Sequence, residues 1–165
     1  MSSLSGPINQ PSFLQYLNFK QGIRISYPSG WTHREQIAPV GFAVIFNSPA
    51  EDLSDQFSEN LNIFVEAMPP AVTVDQYAQG CLQGMGQMPI QFIENTRATL
   101  AGRPAYRWVY TGALQFPGIT LSGKSMQYVT VANSKGYVVT YTAELKKFDK
   151  FLPLIQQMCD SLEIK

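Results

Sequence analysis

Residues 124–143 read KSMQYVTVANSKGYVVTYTA, and the fold turns on this stretch. Both arms are rich in Val, Tyr and Thr, residues that suit a pleated, half-buried surface. Asn133, Ser134, Lys135 and Gly136 supply turn chemistry between them. In the second arm Tyr137, Val139, Tyr141 and Ala143 point one way, and Val138, Thr140 and Thr142 the other. Neither set is charged, and a strand polar on neither side has cover on both. The expected fold class is therefore α+β. It is an α/β/α sandwich with a central antiparallel sheet, this hairpin in its middle and helices on both faces.

Working outward, Tyr16–Lys20 and Ile23–Tyr27 read as short strands around a Gln21-Gly22 turn. Pro28 and Gly30 then bend the chain so that Trp31 drops back into the core. Val40–Phe46 (VGFAVIF) is nearly unbroken apolar sequence and reads as a fully buried strand. Asn60–Met68 alternates and stops at Pro69-Pro70. Thr73-Val74-Asp75-Gln76 is a capping box, in which hydroxyl and amide side chains satisfy orphan N–H groups reciprocally. The helix it opens carries Val74, Tyr77, Ala78, Cys81, Leu82 and Met85 on one stripe. Gly80 interrupts it at a cost of about 1 kcal/mol against Ala. It marks either close approach to the sheet or a weak helix, which Gly84 and Gly86 end.

Phe92–Leu100 and Ala105–Thr111 pair across an Ala101-Gly102-Arg103-Pro104 turn. A turn at Gln115–Gly118 then leads into Ile119–Ala132. Phe148, Phe151, Leu152, Ile155, Cys159 and Leu162 mark a last helix, with Pro153 expected near its first turn. Ser161-Leu162-Glu163-Ile164 closes the chain as a short edge segment. The expected organisation is a flexible lead-in over residues 1–15 and one domain over 16–165.

The 165 residues are 45% hydrophobic, enough for a full-sized core, and only 15% charged, against about 25% in an average soluble domain. Lys+Arg and Asp+Glu are 12 each. That balance argues against nucleic acid, which demands a cationic surface. The charge is uneven along the chain. Residues 1–96 hold 3 basic and 8 acidic side chains, and residues 97–165 hold 9 and 4. Interleaving in the sheet would mix these halves; a bipolar surface would instead dock a charged partner.

No apolar run approaches the roughly 18 residues of a membrane span, so no membrane insertion is expected, and a monomer is. The opening MSSLSGPINQPS has neither charged nor apolar signal-peptide regions. Cys81 and Cys159 each fall on an apolar helical stripe and read as buried free thiols. With a single histidine they form no zinc ligand set.

Chemistry-bearing residues concentrate in one place. The loop NSPAEDLSDQFSE, Asn47 to Glu59, carries Glu51, Asp52, Asp55 and Glu59. These four are the candidate metal ligands, but their spacing fits no EF-hand, and a solvated acidic loop is the preferred reading. His33 lies beside Arg34 and Glu35 in an expected loop and reads as a surface histidine. Without it no Ser-His-Asp or Cys-His set can be built. There is no phosphate-binding glycine loop, because Gly80, Gly84 and Gly86 are helical. The aromatics sit at inward strand positions and read as core. No catalytic residue is assigned.

Six blocks together resemble the PsbP-like family: GIRISYPSGW, SENLNIFVEAMP, TVDQYA, ATLAGRPAYRWVYTG, MQYVTVANSKGYVVTYTAE and FLPLIQQMCDSLEI. Their order and spacing match over about residues 16–165. The family includes extrinsic lumenal subunits of photosystem II, their cyanobacterial relatives and the Ran-binding Mog proteins. The resemblance implies one antiparallel sheet between helices and a non-enzymatic role binding a protein partner, often in a membrane-associated complex. A Mog-like small-GTPase partner or an ion or small-molecule module are the alternatives. Calcium or manganese binding, and a thylakoid-lumen or periplasmic location, are implied by the resemblance alone. The given sequence departs from the photosystem members in showing no plant-type basic arm and no lipobox cysteine at its start, so direct service at photosystem II is not expected. No family binding residue maps onto a motif here.

Overall fold

The structure, a computed structural model, describes residues 12–165. Residues 1–11 of the expected lead-in lie outside the described residues. Along the chain come β1 (Phe13–Asn18), β2 (Ile23–Pro28), β3 (Thr32–Ala38), β4 (Gly41–Asn47), β5 (Asn60–Ala67) and helix α1 (Val74–Met85). They are followed by β6 (Ile90–Leu100), β7 (Arg103–Phe116), β8 (Ile119–Ala132), β9 (Lys135–Glu144), helix α2 (Phe148–Ser161) and β10 (Glu163–Ile164). A seven-stranded antiparallel sheet runs β3-β4-β5-β9-β8-β7-β6, and a three-stranded sheet runs β1-β2-β10.

The hairpin of residues 124–143 is indeed central: β9 is the middle strand of the seven. Its turn is tighter than the expected four residues. Asn133 (φ 52°) and Ser134 (φ 59°) alone make it, both left-handed, the geometry whose twist matches the flanking strands. Lys135 and Gly136 are already in β9. The same logic shortens the β6–β7 turn to Ala101 (φ 51°) and Gly102 (φ 72°).

The two faces of the large sheet are covered differently. On one, Tyr137, Val139 and Tyr141 of β9 join Met126 and Tyr128 of β8, Leu61 and Ile63 of β5, and Val44 and Phe46 of β4. Ile23 and Ile25 of β2 and Ile155, Met158 and Cys159 of α2 close over them, so the small sheet and α2 form one lid. On the opposite face Trp108 of β7 and Val129 of β8 pack against Tyr77, Ala78 and Met85 of α1. The helices therefore lie on opposite sides of the sheet, as expected, and Cys81 and Cys159 remain free.

Several expectations change. VGFAVIF is not buried on both sides: β4 alternates between buried and half-buried residues. The reason is that α1 packs over β7 and β8 and leaves the β4–β5 end of its face without a helix. His33 is not in a loop but on β3, an edge strand whose residues Thr32–Ile37 are all exposed. Its polar sequence, THREQIA, hides its strand character and also protects a free edge from pairing with other chains. Gly80 has open space around its Cβ position, so it is a weak point rather than a close approach. The close approach belongs to Gly136, in the sheet beneath Tyr77. Pro153 lies in the second turn of α2 rather than the first. Strand β1 starts at Phe13, before the expected Tyr16.

Ion pairs tie the two unequally charged halves of the sequence together in space. They join Arg24 to Glu163, Arg97 to Asp75, Arg107 to Glu94 and Lys147 to Asp55.

Candidate functional site

The acidic loop is where the chain brings titratable groups together. Between β4 and β5 it folds back on itself, with the Ser48 N–H donating to the Glu59 carbonyl at 2.9 Å. Asp52 turns outward and caps its own bend, accepting from the Ser54 N–H (2.8 Å) and hydroxyl (2.5 Å). Asp55 turns inward. Its Oδ2 accepts from the Glu51 N–H at 3.0 Å, and its Oδ1 takes the Lys147 ammonium at 2.9 Å. The same ammonium lies 3.5 Å from Glu51 and 3.5 Å from Glu144, while Lys150 reaches Glu51 at 2.5 Å.

Of the four sequence candidates, three converge. Carboxylate oxygens of Glu51, Asp55 and Glu59 lie within 4.8 Å of one another. Asp52 is outside the group. The lysines at the base of α2 are what the sequence reading missed. They stand some ninety positions away in sequence, and no local pattern links them to the loop.

The electrostatics divide this cluster. The Lys150 hydrogen bond holds the Glu51 carboxyl below its ordinary range, and the Glu51 N–H followed by Lys147 does the same for Asp55. The Ser54 hydroxyl lowers Asp52. Asp55 in turn pushes the Lys147 ammonium upward. Glu59 goes the other way: burial raises it. Its side chain is fully buried, and neither carboxylate oxygen has a hydrogen-bond partner.

A second feature lies at the end of the molecule formed by the β1–β2 and β3–β4 turns. Phe19 (86% exposed), Ile37 (89%) and Val40 (73%) stand out into solvent there. Ile37 and Val40 line a cleft of about 480 Å³, with Lys20, Glu35 and Lys135 on its walls. Phe19 and Leu17 line an adjoining one of about 310 Å³.

Nucleophilic chemistry has little to work with among the described residues. The His33 ring stacks edge-on against Tyr16 and Tyr27, at 5.4 and 5.3 Å between centroids. Burial pushes the Cys159 thiol up to about 12 and raises Cys81 as well. Neither sulfur is a thiolate at neutral pH. Cys159 does border a cleft of about 610 Å³ whose walls include Thr99, Gly102, Asp160 and Glu163, but no histidine lines it. No helix of the described residues is long and apolar enough to cross a membrane.

Comparison with solved structures places this architecture among known folds. CyanoP, the cyanobacterial PsbP from Synechocystis sp. PCC 6803, matches with a TM-score of 0.66 at 17% identity over 97% of this chain and 96% of that one. LpqN from Mycobacterium tuberculosis matches with a TM-score of 0.61 at 13% identity over 95% and 92%. PA94 from Pseudomonas aeruginosa gives 0.60 at 13% over 88% and 92%. Identities this low speak for the fold alone. No curated protein matches the sequence. The PsbP family model, however, matches residues 11–164, nearly the whole chain, and the chain belongs to the PsbP family.

Proposed function

We propose that this chain is a non-enzymatic binding domain that docks onto a protein of a membrane-associated complex through its β1–β2 and β3–β4 turns. The observation that carries this reading is the exposure of Phe19, Ile37 and Val40 around two adjoining clefts. Single exposed apolar residues are ordinary, but a group flanking concave surface at one end is the form of a contact site. Lys20, Lys135 and Glu35 rim it with polar groups. Membership of the PsbP family supports an accessory rather than a catalytic role.

The test is capture from detergent-solubilised membranes of the native organism by the immobilised chain. A Phe19→Ser/Ile37→Ser/Val40→Ser variant is compared with Phe116→Ser, which alters an exposed ring elsewhere. A partner retained by wild type and Phe116→Ser, and weakened about tenfold or more by the triple variant, is the expected result. Equal capture by all three removes this surface from consideration. A parallel arm with small GTPases in GDP and GTP states tests the Mog-like alternative, which predicts nucleotide-dependent retention.

A further inference from the structure

We propose that the chain forms a two-fold dimer by pairing the outer edge of β6 with the same edge of a second copy, Thr96 facing Thr96 across the axis. This replaces the monomer expected from the sequence. It goes beyond the docking reading and does not depend on it, because β6 and β3 are opposite edges of the large sheet.

The backbone is the first reason. Among the described residues β6 pairs with β7 alone. The turn between them is left-handed at Ala101 and Gly102, so Leu100 and Arg103 close it as a hydrogen-bonded pair. Counting back by alternate residues, Ala98, Thr96 and Glu94 also bond to β7. The N–H and C=O groups of Asn95, Arg97 and Thr99 therefore point outward, a bare row of donors and acceptors ready for another strand. Charged side chains normally guard such an edge, but here they are drawn back onto their own chain. Glu94 is held by Arg107, and Arg97 lies over the Tyr106 ring and near Asp75. The side-chain carbonyl of Asn95 accepts from the Trp108 indole N–H at 2.9 Å.

Register is the second reason. A two-fold axis normal to the sheet keeps each face continuous, so facing residues must lie on the same face. Outward-pointing residues must also meet outward-pointing ones. Centring on Arg97 sets two guanidinium groups opposite each other, which is destabilising. Centring on Asn95 puts the bulge at Ile93 against Arg97 of the second copy. Centring on Thr96 gives a regular ladder from Glu94 to Ala98 in both copies. Asn95 then bonds to Arg97 of the second copy, no like charges face each other, and Thr–Thr is a favourable cross-strand pair.

Shape is the third. Ile93 is 59% exposed. The register centred on Thr96 brings it alongside Thr99 of the second copy. Thr99 stands on the wall of the cleft of about 610 Å³ that also holds Ala101, Cys159 and Leu162. The axis thus seats the isoleucine of each copy at the mouth of the cleft in the other, an isologous contact. Apolar burial there adds to the backbone hydrogen bonds of the edge.

Disulfide trapping of the full chain tests this. The Cα atoms of a non-hydrogen-bonded antiparallel pair lie about 4.5 Å apart, within reach of a disulfide. In a Cys81→Ser background under mild oxidation, Thr96→Cys should convert to a covalent dimer. Gln91→Cys, also exposed on β6 but far from its own copy in this register, should not. Sedimentation gives the second reading, and wild type should dimerise with a Kd below about 1 mM. Thr96→Lys sets two ammonium groups face to face, and Ile93→Asp brings a carboxylate to a cleft that already holds Asp160 and Glu163. Each should weaken the dimer about tenfold or more. If one of the two does not fold by circular dichroism, the other carries the comparison. The proposal is overturned by a wild-type Kd weaker than about 1 mM, or by a folded Thr96→Lys or Ile93→Asp that dimerises as wild type does. It is equally overturned if Thr96→Cys gives no covalent dimer, or if Gln91→Cys gives as much.

Discussion

Gly136→Ala tests how α1 is seated on the sheet. A Cβ on Gly136 would fall 2.3 Å from Tyr77 Cζ and 2.6 Å from its Cε2. Carbon–carbon contact needs about 3.5 Å, so the ring must retreat by more than 1 Å. It has little room: Tyr77 is buried against Trp108 and Val129, both fully enclosed. Overpacking costs about 1–3 kcal/mol, and a shift of this size against enclosed neighbours falls in the upper part of that range, about 2–3 kcal/mol, less about 0.5–1 kcal/mol because Ala suits an extended backbone better than Gly. A net loss of about 1–2.5 kcal/mol in a domain of this size lowers Tm by roughly 2–10 °C. The assay is thermal unfolding of wild type, Gly136→Ala, Tyr77→Ala and the double variant. In the Tyr77→Ala background the new methyl meets no ring, so Gly136→Ala should be neutral or stabilising there. The coupling between the two sites should reach about 1 kcal/mol. A Tm unchanged by Gly136→Ala in the wild-type background, or equal effects in both backgrounds, refutes the seating of α1 over β9.

Other expectations are simpler. Gly80→Ala, with open space at its Cβ position, should raise stability by about 0.5–1 kcal/mol; a lower denaturant midpoint contradicts this. Glu59 titrates above its ordinary value in the native state, which therefore binds a proton more tightly than the unfolded chain. Its contribution to stability is thus complete below the unfolded value of about 4.3 and is lost as pH rises through the raised native value. Urea midpoints of wild type and Glu59→Gln in chelator should diverge in that sense between acid and neutral pH, and parallel curves contradict it. Cys159, buried and with its thiol pushed up to about 12, should resist a thiol reagent until the protein is denatured, whereas half-buried Cys81 should react first. Labelling that takes both at one rate in the native state refutes this.

What the sequence made legible follows the physics of each element. The central hairpin could be read because both its side-chain sets are uncharged, a pattern only a covered strand tolerates. The start of α1 could be read because a capping box is a local device: Thr73 and Gln76 exchange their two hydrogen bonds as expected. Strand β3 escaped because an exposed edge strand has no buried face to impose alternation. The one-sided cover of β4 escaped because it depends on where α1 lands, a tertiary fact. Separation of β1, β2 and β10 into their own sheet depends on long-range pairing of Ile23 with Ile164, which no local pattern encodes. The acidic loop was visible as composition. The lysines that pair with it, and the burial that singles out Glu59 from Asp52, come only from docking α2 against that loop.

The claim that this domain works by docking its turn end is tested most directly by site-specific photo-crosslinking. A photoreactive side chain at position 19 or 40, introduced in the native cells, should capture one predominant partner protein. The same group at position 116 should not capture it. No adduct from positions 19 and 40, or the same adduct from all three, would contradict the reading.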